Sequence, residues 1–158
     1  MKLSEALRTS MERFDPLGGR FHKTGRPGDK PQACVWGGIA RVVDSRIDDD
    51  IDDDTFAKKT VDVLCMMPEV GYDKDAEKDH ARLDKIGGFF PLMEQMDAAY
   101  QGSGKDLAEL KVGDFPMLDG FSLYNRYRFF NDFLMERKAS FGADPRPAIL
   151  ADMLERGL

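Results

Sequence analysis

The sequence predicts a mainly α protein: a compact, single-domain helical bundle spanning residues 1–158, with about six to seven helices and one short β-strand or hairpin near residues 19–32. Three observations carry this expectation. Apolar residues recur at three- and four-residue spacing along most of the chain, the period of a helix with one buried face. No run of alternating apolar and polar residues marks a strand of any length. Gly and Pro clusters interrupt the helical stretches often enough to fold them back on one another.

Each element follows from its residues. Leu3, Leu7, Met11 and Phe14 make one apolar stripe, and Asp15-Pro16-Leu17-Gly18-Gly19 ends that helix. Residues 20–31 carry Gly and Pro at close intervals and read as a loop with a short strand near Phe21. A second helix is expected from about Gln32 to Val43, with Val35, Ile39, Val42 and Val43 on its apolar face. Its Gly37-Gly38 pair costs about 1 kcal/mol per glycine relative to alanine, which a helix tolerates where another backbone must come close. Phe56, Thr60, Val63, Leu64 and Met67 define a third helix, closed by Pro68 and Gly71. Residues 73–86 read as an exposed helix held by Leu83 and Ile86. Pro91 fits the first turn of a helix carrying Leu92, Met93, Met96, Ala99 and Tyr100. Residues 101–121 are irregular. Ser122 is an N-cap candidate for a long central helix to about Ser140, with Leu123, Tyr127, Phe130, Leu134 and Phe141 as its seam. Asp144 then caps a last helix whose first position is Pro145, with Ile149, Leu150, Met153 and Leu154 inward and Gly157 as the stop.

Composition narrows the function. Apolar residues make up 42% and charged residues 33% of the chain, a globular and not a disordered balance. No apolar run approaches the ~20 residues that span a bilayer, and residues 1–5 lack the apolar core of a secretory signal, so a cytoplasmic protein without membrane association is expected. Two cysteines outside any C-x-x-C pair make no disulfide framework, and two histidines make a structural zinc site improbable; neither metal nor cofactor is expected. Charge is segregated. Residues 1–43 carry eight Lys/Arg against four Asp/Glu, residues 44–79 five against thirteen, and residues 80–158 ten against twelve. Overall acidity argues against nucleic acid as the partner.

Four motifs carry chemistry. Cys34 follows a Pro-rich loop where a helix is expected to begin, a position that favours the thiolate, and His22 or His80 could serve as base. Gln32-Ala33-Cys34 departs from the caspase signature at Trp36, however, and a buried core thiol is the favoured reading. Asp48, Asp50 and Asp52 form D-x-D-x-D, yet an EF-hand requires Gly and Glu where Asp53 and Lys59 stand. The run Asp48, Asp49, Asp50, Asp52, Asp53 and Asp54 is therefore read in two ways. Its last three residues cap and charge the next helix, or the whole run is a protein-binding surface that imitates nucleic-acid phosphates. Lys23, Arg26 and Lys30 precede helix two and could form an anion site there. Arg126 and Arg128 lie about 200° apart on a helix, so they make no common platform and are expected to be exposed. Asn131-Asp132 is expected to be a buried polar pair that fixes a neighbouring loop.

"ACVWGGIAR" (residues 33–41) is similar to the C-A-L-G-A-[LI] helix of a family of small uncharacterised bacterial and phage proteins, differing at Val35, Trp36 and Gly38. Phe130-Asn131-Asp132 and residues 145–157 resemble that family's [FW]-N-D tripeptide and closing helix. The resemblance implies a small helical accessory protein. The function expected from all of this is a non-enzymatic accessory or inhibitor protein of phage type, acting on a protein partner through the acidic segment 44–54. A Cys34-dependent hydrolase or transferase, and a phosphate- or nucleotide-binding module at the start of the 32–43 helix, are the alternatives.

Overall fold

Leu3 and Leu7 lie one turn apart and are both buried, which fixes the inner edge of α1 (Leu3–Arg13). The computed structural model describes residues 1–23, 28–47, 52–137 and 143–158. Among them the chain continues through β1 (Asp15–Pro16), β2 (His22–Lys23), β3 (Gln32–Ala33), α2 (Val35–Val43), α3 (Asp53–Cys65), α4 (Ala76–Ile86), α5 (Phe89–Ser103), α6 (Leu123–Arg137) and α7 (Arg146–Glu155). The class is mainly α, as expected, and the bundle is compact.

The expected hairpin is present and larger than anticipated. β3 lies between β1, its parallel neighbour, and β2, its antiparallel one. Gln32 and Ala33, expected to open helix two, belong to this sheet instead. Cys34 takes the N-cap position, and α2 begins at Val35. The strand wins because Asp15 N–H donates to the Pro31 carbonyl and Cys34 N–H to the Phe21 carbonyl. α2 packs on α1, α3 and α6. Gly37 and Gly38 make this possible: a Cβ on Gly37 would overlap the Phe21 carbonyl oxygen, and one on Gly38 would overlap the Ser10 hydroxyl. Val43, assigned to the inner face, is instead exposed at the helix end, while Trp36 is fully buried.

α6 supplies Tyr127, Phe129, Phe130, Phe133 and Leu134 to the main core, where they meet Leu7, Trp36, Met96, Ile149 and Met153. Each such side chain contributes roughly 1.5–3 kcal/mol by burial, against about 0–1 kcal/mol for an exposed ion pair, so apolar packing and not surface charge decides the fold. The Ser122 hydroxyl accepts from Asn125 N–H at 3.3 Å, which makes it the expected N-cap. Residues 138–142, and with them the expected last turn of this helix and Phe141, lie outside the described residues. Residues 101–121 are not an idle connector: three 3₁₀ turns, Leu107–Glu109, Val112–Asp114 and Pro116–Leu118, bury Leu107, Leu110, Val112, Phe115 and Leu118. A 3₁₀ turn brings every third residue to one side, a short pattern without an amphipathic period.

Among the described residues three charged side chains are buried, and two of them, Arg126 and Asp79, were expected on the surface. Arg126 is 6% exposed, its guanidinium turned back to the Asp119 carbonyl at 2.8 Å. Arg146 pairs with Asp144 and donates to the Phe14 carbonyl at 2.6 Å, which ties the start of α7 to the end of α1. Pro145 is accordingly the N-cap residue and not the first helical position. Asp79 is buried inside the α4–α6 junction, where it accepts from Ser122 N–H at 3.0 Å, from the Ser122 hydroxyl and from Asn125 Nδ2 at 2.7 Å. Leu154, expected inside, is half exposed, because the α7 face that the core covers is the one carrying Ile149 and Met153.

Candidate functional site

Two pockets adjoin along α6. The first, about 340 Å³, is lined by the loop before β2 (Gly19, Arg20, Phe21), the start of α2 (Cys34, Trp36), Ala57 of α3, and Tyr124, Arg128 and Asp132 of α6. The second, about 350 Å³, lies between α4 and α6 and includes Tyr72, Asp73, Asp79, His80 and Asn125, and again Tyr124 and Arg128. Tyr124 and Arg128 thus form the wall between them. Tyr124 is fixed from both sides: its carbonyl accepts from Trp36 Nε1 at 2.8 Å, and its ring meets Tyr72 edge-on at 4.6 Å.

Asn131 and Asp132 hold the loop over the first pocket, the role their sequence context predicts. Asn131 Nδ2 donates to the Leu17 carbonyl at 2.9 Å, and Gly19 N–H donates to Asp132 Oδ1 at 3.1 Å. Burial raises the Asp132 carboxyl above the usual carboxylate range, while the Gly19 amide, Asn131 and Arg128 pull the other way.

Cys34 lies in this first pocket, and its surroundings disfavour the thiolate. Burial pushes the thiol up to about 11, against the opposing pull of the Gly37 and Trp36 amides. Desolvation outweighs the helix start, because the dipole contributes little where the charged form has lost its water. Neither histidine lines this pocket. His22 is buried on the other side of the hairpin, stacked on Phe56 at 4.0 Å and edge-on to Phe14. His80 is exposed on α4 beside Asp84, 3.4 Å away.

The acidic run divides. Asp52 caps α3, accepting from Thr55 N–H at 2.9 Å and from its hydroxyl at 2.8 Å; these bonds hold its carboxyl below the usual range. Asp53 and Asp54 occupy the first helical turn, and Asp53 lies 3.7 Å from Arg20. Asp48, Asp49 and Asp50 lie outside the described residues, as does Arg26. Lys23 and Lys30 are exposed near the hairpin and line none of the pockets described here. Sequence reasoning missed the carboxylates that gather beyond this run. The Cys65 thiol is exposed; slight desolvation raises it, and Asp73 before α4 and Asp62 of α3 raise it further. It also missed Tyr72, Tyr124 and Arg20 as pocket walls; their only sequence signal was proximity to turns.

Among the described residues no group of three or more His, Cys, Asp or Glu is placed to hold a metal ion, and no helix is long and apolar enough to cross a membrane. The chain matches no protein-family model, no curated protein and no solved structure. Its fold and site define a small helical protein with paired pockets and an acidic flank, and it is on this geometry that a function must be argued.

Proposed function

We propose that the protein is a non-enzymatic accessory or inhibitor protein of phage type that acts in the cytoplasm by binding a protein partner through its acidic flank. One observation carries this reading: Asp54, Asp62, Glu69, Asp73 and Glu77 stand exposed on successive elements from α3 to α4 and outnumber the exposed Lys58, Lys59, Lys74 and Lys78 among them. Asp62 and Asp73, from separate elements, both act on the exposed Cys65 thiol, so acidic side chains from α3 and the start of α4 lie near one surface group. Such a surface attracts a basic partner and repels nucleic acid. The protonated Cys34 thiol, without a histidine in its pocket, supports binding over catalysis.

The test is affinity capture from source-cell lysate with stepwise salt elution, identifying both proteins and nucleic acids. Asp44 and Asp52 are left intact because they hold local structure. One stoichiometric protein is expected, released by salt. It should be lost from an Asp54→Asn/Asp62→Asn/Asp73→Asn variant and weakened in an Asp48→Asn/Asp49→Asn/Asp50→Asn variant. Equal capture by wild type and both variants, or recovery of nucleic acid alone, defeats the proposal.

A further inference from the structure

The pocket beside Cys34 has a cationic rim, aromatic walls and one carboxylate, Asp132, in its lining. Arg20 and Arg128 stand at the rim with side chains 60% and 47% exposed. Their carboxylate neighbours are distant, Asp53 at 3.7 Å from Arg20 and Asp132 at 4.0 Å from Arg128, both beyond hydrogen-bond range. Arg128 also makes a long contact to Asn125 Oδ1 at 3.4 Å and lies over the Phe129 ring. A guanidinium has five N–H donors in a fork that matches a carboxylate, so these contacts leave much of each rim cation's capacity unused. The counter-charge in the pocket is partly engaged: Asp132 Oδ1 accepts from the Gly19 amide and from Asn131 Nδ2, and Oδ2 faces Arg128 at 4.0 Å. Phe21 and Tyr124 provide apolar surface, with the buried Trp36 packed behind it, and the Cys34 thiol in the lining is uncharged near neutral pH.

We propose that this pocket binds a small planar monocarboxylate, its carboxylate held by Arg128 with Arg20 alongside and its flat body against Phe21 and Tyr124. The volume, about 340 Å³, lies at the small end of the ~300–1,000 Å³ typical of ligand pockets and suits a single ring. A bare inorganic anion would satisfy the arginines and leave the aromatic walls wet. A neutral ring would satisfy the walls and leave the arginines unused. A carboxylate on a ring uses both. This inference stands independently of the acidic flank, which is a different surface.

Trp36 is the only tryptophan in the chain and lines the pocket, so its emission reports occupancy. The full-length protein is titrated with benzoate, with neutral benzamide and with inorganic phosphate, following Trp36 emission and the thermal midpoint. Benzoate should saturate in the ~mM range expected of so small a ligand and raise Tm. Benzamide and phosphate should each bind roughly tenfold or more weakly. Arg128→Ala should weaken benzoate by a similar factor and Arg128→Lys by less. Ala57→Phe, which fills the pocket from α3, should abolish the response while circular dichroism remains native. Equal binding of benzamide, equal binding of phosphate, or no saturable response to benzoate overturns the proposal. These three are wild-type measurements and do not depend on any variant folding.

Discussion

The Cys34 thiol shows how burial and a helix start compete at one atom. Below pH 9 the thiol is neutral in both the folded and the unfolded chain. The unfolded chain gives up this proton near the ordinary value of 9.0, whereas the fold keeps it to about 11. The stability this group contributes is therefore complete below pH 9 and lost as pH rises toward 11, by up to roughly 3 kcal/mol. Tyr124 and Tyr127, raised by burial from 10.0, extend the loss to higher pH. Urea unfolding from pH 8 to 10.5 should show wild-type stability falling from about pH 9, with Cys34→Ala delaying the onset to about pH 10. Parallel curves for the two proteins would show that the thiol is not desolvated. At this scale the sequence told least. Cys34, expected in the core, instead sits partly buried at the core's edge, lining a pocket; Asp132 was legible from its tripeptide, but Asp79, Arg126 and Arg146 were not. Each lies in a charged or mixed stretch, and the partner that allows its burial comes from a distant segment or a bent loop: Ser122, the Asp119 carbonyl and the Phe14 carbonyl. A buried charge is recognisable only once its hydrogen bonds are known.

At the scale of elements, helices with a clean period were legible, and ends set by other elements were not. α1, α3, α5 and α6 follow their apolar spacing. α2 starts late because its first two expected residues are claimed by a sheet whose other strands are two residues long and carry no pattern of their own. The 3₁₀ turns of residues 107–118 were invisible for the same reason, although they bury five apolar side chains. The Gly37-Gly38 pair is a packing device, as its sequence suggests, and its two members should differ. Gly37→Ala collides with the Phe21 backbone, so the hairpin itself must move; Gly38→Ala meets the Ser10 hydroxyl, which can rotate away. Overpacking of this kind costs about 1–3 kcal/mol, with Gly37→Ala at or above the upper end and Gly38→Ala near the lower. Ser10→Ala combined with Gly38→Ala should recover part of the second loss, and chemical denaturation of the four proteins measures it. A Gly37→Ala protein as stable as wild type would mean that the hairpin does not rest on α2.

Across the whole molecule, two apolar clusters hold most of the interior among the described residues. The larger gathers α1, α2, α5, α6 and α7 with the 3₁₀ turns; the smaller holds Ala40, Ile47, Phe56 and Val63. Phe21 and Met67 pack against both. Exposing either cluster strips away Phe21 and Met67, which also cover the other, so unfolding should be one cooperative transition. Trp36 emission reports the larger cluster, and helical circular dichroism reports the chain as a whole. Their denaturation midpoints should coincide, and a separate early loss of α3 helicity would refute this shared anchoring. Charge segregation, the clearest whole-chain feature of the sequence, marks the acidic flank, while the pockets beside it emerge only when α2, α4 and α6 meet.

Tyr124 and Arg128 belong to both pockets, and this has a thermodynamic consequence. A wall common to two compartments cannot adjust to one occupant without changing the space offered to the other. If both pockets take occupants, their occupancies are linked through this wall. Whatever factor the first occupant imposes on the affinity of the second, the second must return to the first. Because Trp36 is bonded to the Tyr124 carbonyl, the start of α2 is joined to that exchange.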